Sequence, residues 1–183
     1  MTLMRKTLNG LMIAGLAVGL VACGDDDDNS SGSNNPPAAQ TETIKGVAAT
    51  GKPFAGKIKV VNASGVESTE VTIAADGSYT VTVPKGAPYL LKAYNDQQTL
   101  YSYAPKVVAN IPVNITQLTT AALFDANAQM NLEGLFDEWE KAATRPTEAD
   151  VVQSAKEVVA NLKITMIENG LTATEVNGLN VFN

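Results

Sequence analysis

The chain has 183 residues, one cysteine, no histidine and a formal net charge of −6. Without histidine or a cysteine pair it cannot build a Ser-His-Asp triad, a Cys-His dyad, an imidazole metal site or an internal disulfide. Its mild acidity argues against a nucleic-acid partner, which requires clustered Lys and Arg. An enzyme built on this chain would have to use carboxylates, Lys, Ser or Tyr.

The first 22 residues have the features of a signal peptide. Arg5 and Lys6 form a positive start, and about fifteen mostly apolar residues follow, from Leu8 to Ala22. This run is shorter than the roughly 20 apolar residues that cross a bilayer. We therefore expect residues 1–22 to be removed from the mature protein.

Cys23 follows Leu20, Val21 and Ala22, and this arrangement resembles the lipobox of bacterial lipoproteins. The resemblance implies cleavage before Cys23, a diacylglycerol on its sulfur and a third acyl chain on the new amine. Since two anchoring signals already hold a protein stably on a lipid bilayer, three acyl chains would make attachment effectively permanent. The alternative is an ordinary signal peptide followed by a buried structural cysteine.

The resemblance also favours the outer membrane over the inner membrane of the cell envelope. In lipoproteins of this kind, an Asp directly after the lipidated Cys often retains the protein in the inner membrane. Gly24 stands at that position here, and the acidic run starts one residue later.

Residues 23–43 are predicted to form a disordered acidic tether. From Gly24 to Thr43 there is no large apolar residue, so this segment cannot offset the cost of ordering. A flexible chain of about 20 residues has a root-mean-square span of roughly 25 Å. The run Asp25 to Asp28 lacks the spaced ligands and bend glycine of a calcium loop, so we interpret it as a solvated spacer.

Residues 44–115 are predicted to form an antiparallel β-sandwich. Short strands alternate with turn signals at a spacing typical of that architecture. The Asp76-Gly77 step is the strongest hairpin signal and predicts that the strands on its two sides pair. The predicted strands are Ile44–Ala48, Lys57–Val61, Glu67–Ile73, Ser78–Val83, Tyr89–Tyr94 and Thr99–Tyr103.

Residues 116–183 are predicted to be an α-helical segment. Leu118 to Ala128 is rich in Ala and Leu, and a second helical face is formed by Leu132, Leu135, Phe136 and Trp139. Thr147 to Asp150 and Thr172 to Glu175 have the spacing of capping boxes, and Gly170 is a stop signal. The long helix after Thr147 is expected to pack on the Leu132–Trp139 face through one stripe: Val151, Ala155, Val158, Val159, Leu162, Met166 and Ile167.

Three segments, Ile44–Ala48, Pro53–Val60 and Ala75–Val81, resemble the carboxypeptidase regulatory-like domains, which are small transthyretin-like β-sandwiches. The resemblance covers about residues 42–95. It implies a fold and brings no catalytic residue, because this domain accompanies a carboxypeptidase and does not perform the cleavage.

Two further segments, Leu100–Ala104 and Val113–Thr120, are similar to parts of bacterial envelope lipoproteins. In these proteins a sandwich is followed by a motif written N-I/V-T-P-L-T-T and then by helices. Gln117 stands where Pro is usual. Since such proteins often run longer, we expect a short or truncated member.

Together these features predict a non-catalytic, membrane-anchored envelope lipoprotein that acts as a binding or structural module. The expected partner is an envelope protein or polysaccharide, with no cofactor and no metal. Binding would use the loops Lys52–Gly56, Asp76–Gly77 and Asn95–Gln98. Four tyrosines could stack on sugars or peptides, although packing in the strand core is the favoured interpretation for each: Tyr89, Tyr94, Tyr101 and Tyr103.

Two alternatives remain open at this point. The Val151–Ile167 stripe could dock a partner, which would make the protein a helix-mediated subunit of an envelope assembly. Asp137, Glu138 and Glu140 surround Trp139 and could serve a hydrolase acting on glycans, although such acids more often form a solvated helix face. An exposed stripe would favour the first alternative, and converging acids with a raised carboxyl pKa would favour the second.

Overall fold

The computed structural model describes residues 40–128 and 131–183. The predicted signal peptide, Cys23 with the lipobox Leu20–Val21–Ala22, and the tether up to Ala39 lie outside these ranges. The part described contains seven strands and four helices. The strands are β1 (Thr41–Ala49), β2 (Lys57–Val61), β3 (Val71–Thr72), β4 (Ser78–Pro84), β5 (Tyr89–Tyr94), β6 (Thr99–Ala104) and β7 (Ile115–Thr116). The helices are α1 (Gln117–Ala126), α2 (Leu132–Asp137), α3 (Glu148–Glu168) and α4 (Ala173–Asn177).

The strands form two sheets, one with the order β4-β1-β7 and one with the order β3-β2-β5-β6. Every pair is antiparallel except β1 with β7, which is parallel, so the prediction of a purely antiparallel arrangement is wrong for this pair. Strand β1 also begins earlier than predicted, at Thr41, because residues 41–43 continue the ladder against residues 82–84 of β4. The last residues assigned to the tether therefore belong to a sheet.

The Asp76-Gly77 step forms a turn but does not join paired strands. The Asp76 carboxylate accepts hydrogen bonds from the Ser78 N–H at 2.9 Å and hydroxyl at 2.6 Å, and Gly77 has φ +84°. However, β3 pairs with β2, while β4 pairs with β1. The predicted hairpin is wrong because the chain crosses between the sheets here: the Ile73 N–H donates to the carbonyl of Gly56, which precedes β2.

Strand β5 is the centre of the core. Leu91 and Ala93 belong to a cluster that includes inward side chains of both sheets, such as Ile44, Val60 and Val81. Leu90, on the opposite face of β5, belongs to a second cluster that the helices complete. The second cluster contains Val61, Leu90, Tyr101, Tyr103, Leu123, Leu132, Leu135, Phe136, Trp139 and Val151. The predicted parts 44–115 and 116–183 therefore share a core.

The helix boundaries follow their capping residues. The Thr147 hydroxyl oxygen accepts from the Asp150 N–H, and the Asp150 carboxylate accepts from the Thr147 N–H, which confirms the capping box at the start of α3. Thr172 and Glu175 do the same at α4. Gly170 follows α3 with φ +102°, as expected for a helix stop.

The Thr-Thr pair of the lipoprotein-like motif covers an edge of the four-stranded sheet. The Thr119 hydroxyl donates to the carbonyl of Tyr101 at 2.6 Å, and the Tyr101 N–H donates to the Thr120 hydroxyl oxygen at 2.9 Å. Both backbone groups lie on the edge strand β6. Gln117, at the position of the usual proline, is the first residue of α1, where proline is well tolerated.

The long helix differs from its prediction. Val151 is 1% exposed and joins the second cluster, but Leu162 and Ile167 are 37% and 40% exposed. The expectation that the whole stripe packs on the Leu132–Trp139 face is therefore wrong. Helix α3 lies against α1, and its 21 residues span about twice the length of the 10-residue α1. Helix α1 is therefore too short to cover all of α3, and in the C-terminal half Lys163 contacts Asn177 of α4 instead.

Trp139 should be essential for attaching the helices to the sheet. It follows the end of α2, is fully buried, and donates from its indole nitrogen to the Pro88 carbonyl at 3.1 Å. Trp139→Ala should lower the free energy of unfolding by about 3–5 kcal/mol, because it removes a large core side chain. Ile164→Ala, at a 73% exposed site, should change it by less than about 0.5 kcal/mol. Urea unfolding measures both, and equal effects would contradict this account.

Candidate functional site

The tyrosines considered for ligand stacking are packed inside the protein or paired on its surface. Tyr89, Tyr101 and Tyr103 are at most 5% exposed. The hydroxyl of Tyr89 donates to Glu42, and that of the half-buried Tyr94 donates to Glu70. The packing interpretation therefore applies to these side chains, and their rings do not form a flat platform for a sugar.

Lys92 and Glu133 connect the four-stranded sheet to α2. The Lys92 ammonium forms an ion pair with Glu133 and lies 5.4 Å from the ring centre of Tyr94 and 5.2 Å from that of Phe136. The Tyr101 hydroxyl donates to the second oxygen of Glu133. Burial alone would raise the pKa of Glu133, but the hydrogen bonds from Lys92 and Tyr101 outweigh it and hold this pKa below the ordinary value.

This network should make stability depend on pH. The ordinary pKa of Glu133 is about 4.5, and the folded value is lower. The network therefore contributes fully to the free energy of unfolding above pH 4.5. This contribution is lost as the pH falls through the pKa of Glu133 in the folded protein. Glu133→Gln should lower the urea midpoint at pH 7 and lose less between pH 5 and pH 3 than the wild type does. Glu138→Gln, which breaks only the exposed pair with Lys141, should keep the wild-type pH dependence of the urea midpoint. If the midpoint of Glu133→Gln fell with pH as steeply as that of the wild type, the role of Glu133 would be refuted.

The carboxylates around Trp139 do not form a shared acidic site. Asp137, Glu138 and Glu140 are exposed, and Glu138 pairs with the Lys141 ammonium at 2.7 Å. Glu138 lines a shallow cavity of about 310 Å³, and neither Asp137 nor Glu140 lines that cavity. Within residues 40–128 and 131–183, no three acidic, cysteine or histidine side chains are grouped as metal ligands. This geometry gives the hydrolase interpretation no support.

The three predicted binding loops meet at one end of the sheets. The Asn95 amide nitrogen donates to the carbonyl of Ala55 at 2.8 Å, which joins the loop after β5 to the loop before β2. A side chain at Gly77 would approach Pro53 to within 3.3 Å, which places the Asp76-Gly77 turn beside them. This end is opposite to the one where β6 finishes at Ala104.

An apolar cleft lies at that other end, and we call it the β6–α3 cleft. Its walls are the start of β1, the end of β6 with the loop that follows, the first turn of α3, and residues 180–183. Its volume is about 280 Å³. The lining residues are Thr43, Ile44, Tyr103, Ala104, Pro105, Lys106, Val107, Val108, Ile111, Val113, Glu148, Val151, Val152, Asn180, Phe182 and Asn183.

The rim of the cleft exposes large apolar side chains to solvent. Val108, Ile111 and Val152 are 39%, 46% and 44% exposed. Sequence reasoning missed this site because its walls come from four distant segments. The available signal was the apolar content of residues 107–113, a loop between two strands in which apolar residues have no strand face to occupy.

The wall formed by residues 105–113 is hydrogen-bonded to β1 at its end. The Val113 N–H donates to the Lys45 carbonyl at 2.8 Å, and the Val113 carbonyl accepts from the Tyr79 hydroxyl. A Cβ at Gly46 would lie 1.9 Å from that carbonyl oxygen, so only glycine allows this close approach.

Six of the sixteen residues that line the cleft have polar side chains: Thr43, Tyr103, Lys106, Glu148, Asn180 and Asn183. Lys106 and Glu148 carry opposite charges. Burial, together with the negative charge of Glu148, raises the pKa of Tyr103, and the positive charge of Arg145 opposes this. The Tyr103 hydroxyl therefore stays protonated at neutral pH and can donate a hydrogen bond.

Comparisons with protein-family models, curated proteins and solved structures return no match to this chain. The resemblances to carboxypeptidase regulatory-like domains and to envelope lipoproteins thus stay predictions. In the part of the chain that the structure describes, no helix has both the length and the apolar composition to cross a bilayer.

Proposed function

We propose that this protein is a non-catalytic binding module of the bacterial envelope, anchored to the outer membrane through acylated Cys23. In this proposal the two sheets form a transthyretin-like β-sandwich, supported by the single hydrophobic cluster to which both contribute. The helices cover the outer face of the four-stranded sheet and complete the β6–α3 cleft, which receives the ligand.

The observation that carries the binding role is the apolar cleft with its exposed rim. Each Å² of apolar surface removed from water stabilises a protein by roughly 25 cal/mol, so an open apolar concavity indicates a place where a partner removes that surface. Val151 continues the cleft wall into the buried core, whereas Val152, one residue later, remains 44% exposed. A concave site with a mostly apolar lining and some polar groups is the usual form of a ligand site.

The location of the cleft also fits an anchored protein. Thr43 and Ile44 line it, and β1 starts only two residues before Thr43. The predicted tether would thus leave the folded part beside the cleft, with a root-mean-square reach of roughly 25 Å from the acylated Cys23. A ligand held in the cleft would be close to the membrane surface.

The anchor is tested by metabolic labelling with a palmitate analogue. The wild-type protein should incorporate the label and fractionate with the outer membrane, because the acyl chains hold it there. Cys23→Ser should incorporate none and should appear in the soluble fraction of the envelope. An unlabelled wild-type protein, or an intact N-terminus found by mass spectrometry, would refute the anchor.

The cleft is tested with the uncharged apolar dye N-phenyl-1-naphthylamine and the full mature chain carrying Cys23→Ser. We expect the dye to bind with enhanced fluorescence. Val152→Glu should weaken binding at least tenfold, because it puts a charge in the apolar rim. Ile164→Glu introduces the same charge at an exposed apolar site outside the cleft and should bind the dye like the wild type. Dye binding that responds equally to both variants, or no binding, would refute the cleft as the ligand site.

A second candidate function rests on α3. Its C-terminal half exposes Leu162, Ile164 and Ile167, at 37%, 73% and 40%. Isolated apolar residues are common on surfaces, but exposed apolar residues grouped on one half of a helix are typical of a docking surface. In this candidate the protein is a helix-mediated subunit of an envelope assembly.

This second candidate is tested by crosslinking the acylated protein in intact envelopes. If α3 docks a partner, Ile164→Lys with Ile167→Lys should abolish a specific crosslinked product that Val152→Glu leaves unchanged. The reverse pattern would assign the partner to the cleft and refute docking through α3.

A further inference from the structure

The region next to the cleft already holds a short apolar segment of the chain itself. Val181 is 8% exposed, and Phe182 packs against the helical cluster and reaches the cleft wall. The Asn114 N–H donates to the Phe182 carbonyl at 2.8 Å. This surface thus holds a peptide by burying its apolar side chains and by one main-chain hydrogen bond.

The size of the cleft limits what else it can hold. Its volume is about 280 Å³. Sites for drug-sized ligands start near 300 Å³ and reach about 1,000 Å³. The cleft therefore suits one or two aliphatic side chains better than a whole lipid or a sugar chain.

The charges of the cleft favour an uncharged occupant. Lys106 and Glu148 both line it, so an anion such as a fatty-acid carboxylate would be attracted by one and repelled by the other. A cation would be attracted by Glu148 and repelled by Lys106. The charged lining residues thus have no net charge that would select an anion or a cation.

Tyr103 adds a directional requirement. It lines the cleft and is 5% exposed as a residue. Its hydroxyl forms no hydrogen bond with another described residue, and because no fully buried polar side-chain atom in the described part lacks a partner, this hydroxyl reaches the solvent of the cleft. By contrast, the hydroxyls of Tyr79, Tyr89, Tyr94 and Tyr101 all have partners. A donor in an apolar wall is stabilised by an acceptor on the occupant, and a main-chain carbonyl next to an aliphatic side chain supplies one.

We propose that the β6–α3 cleft takes one or two aliphatic side chains of a short uncharged peptide segment from another envelope protein, with a main-chain carbonyl of that segment accepting a hydrogen bond from the Tyr103 hydroxyl. This inference rests on the proposed binding function and names the chemistry of its ligand.

The test is displacement of N-phenyl-1-naphthylamine from the full mature chain carrying Cys23→Ser. The probe is the capped peptide acetyl-Ala-Leu-Val-Leu-Ala-amide, and its matched control replaces the central Val by Asp. The uncharged peptide should displace the dye, and the Asp peptide should not. Tyr103→Phe keeps the ring, so it should bind the dye like the wild type but bind the peptide about fivefold more weakly, as expected for one lost hydrogen bond.

The outcomes separate the two proposals. If the dye binds and vesicles of phosphatidylethanolamine and phosphatidylglycerol displace it while the peptide does not, the peptide inference is overturned and the cleft is a lipid site. Peptide binding that Tyr103→Phe leaves unchanged overturns the assigned hydrogen bond. If the dye itself does not bind, the cleft function fails, and the inference fails with it.

Discussion

Burial of β5 on both faces is the constraint on which the rest of the structure depends. Leu91 faces the cluster shared by the two sheets, while Leu90 faces the cluster completed by the helices. A strand covered on both sides reads as a nearly continuous apolar run, as residues 89–94 do. The polar exception, Lys92, is tolerated because Glu133 neutralises it and two aromatic rings flank it. The helices are therefore the second cover of this strand.

Local signals in the sequence predicted local structure well. The spacing of turn signals predicted β2, β5 and β6 with bounds close to those observed, and the capping boxes at Thr147 and Thr172 correctly marked helix starts. These features depend on interactions between residues a few positions apart. The same locality explains the error at Asp76-Gly77: the turn residues require a turn, but they do not determine which sheet the flanking segments join.

Features that depend on distant segments could not be read from the sequence. The stripe on α3 indicated an apolar face, but its burial depends on the length of α1, which the stripe does not report. The cleft combines the start of β1, the loop after β6, the start of α3 and the last residues. Tyr103 could be placed on a strand, but only the packed structure shows that its hydroxyl opens to the cleft instead of bonding another described residue, as those of Tyr79 and Tyr101 do.

The molecule has two distinct ends. The loops after β1, β3 and β5 meet at one end, and the cleft lies at the other, beside the first residues of β1. In the proposed function, a ligand in the cleft is presented on the side of the tether, and the loops point away from it. The proposed role thus depends on the same strand for two purposes: β1 connects the anchor to the fold and forms part of the ligand-binding wall.

The threonine contacts on β6 also matter for association between copies of the protein. An exposed strand edge offers unpaired N–H and C=O groups that another chain can join, which leads to aggregation. Thr119 and Thr120 occupy these groups at Tyr101, in the middle of that edge. Where many copies lie close together, as in the proposed anchored state, β6 would therefore be protected at Tyr101 against pairing with another chain.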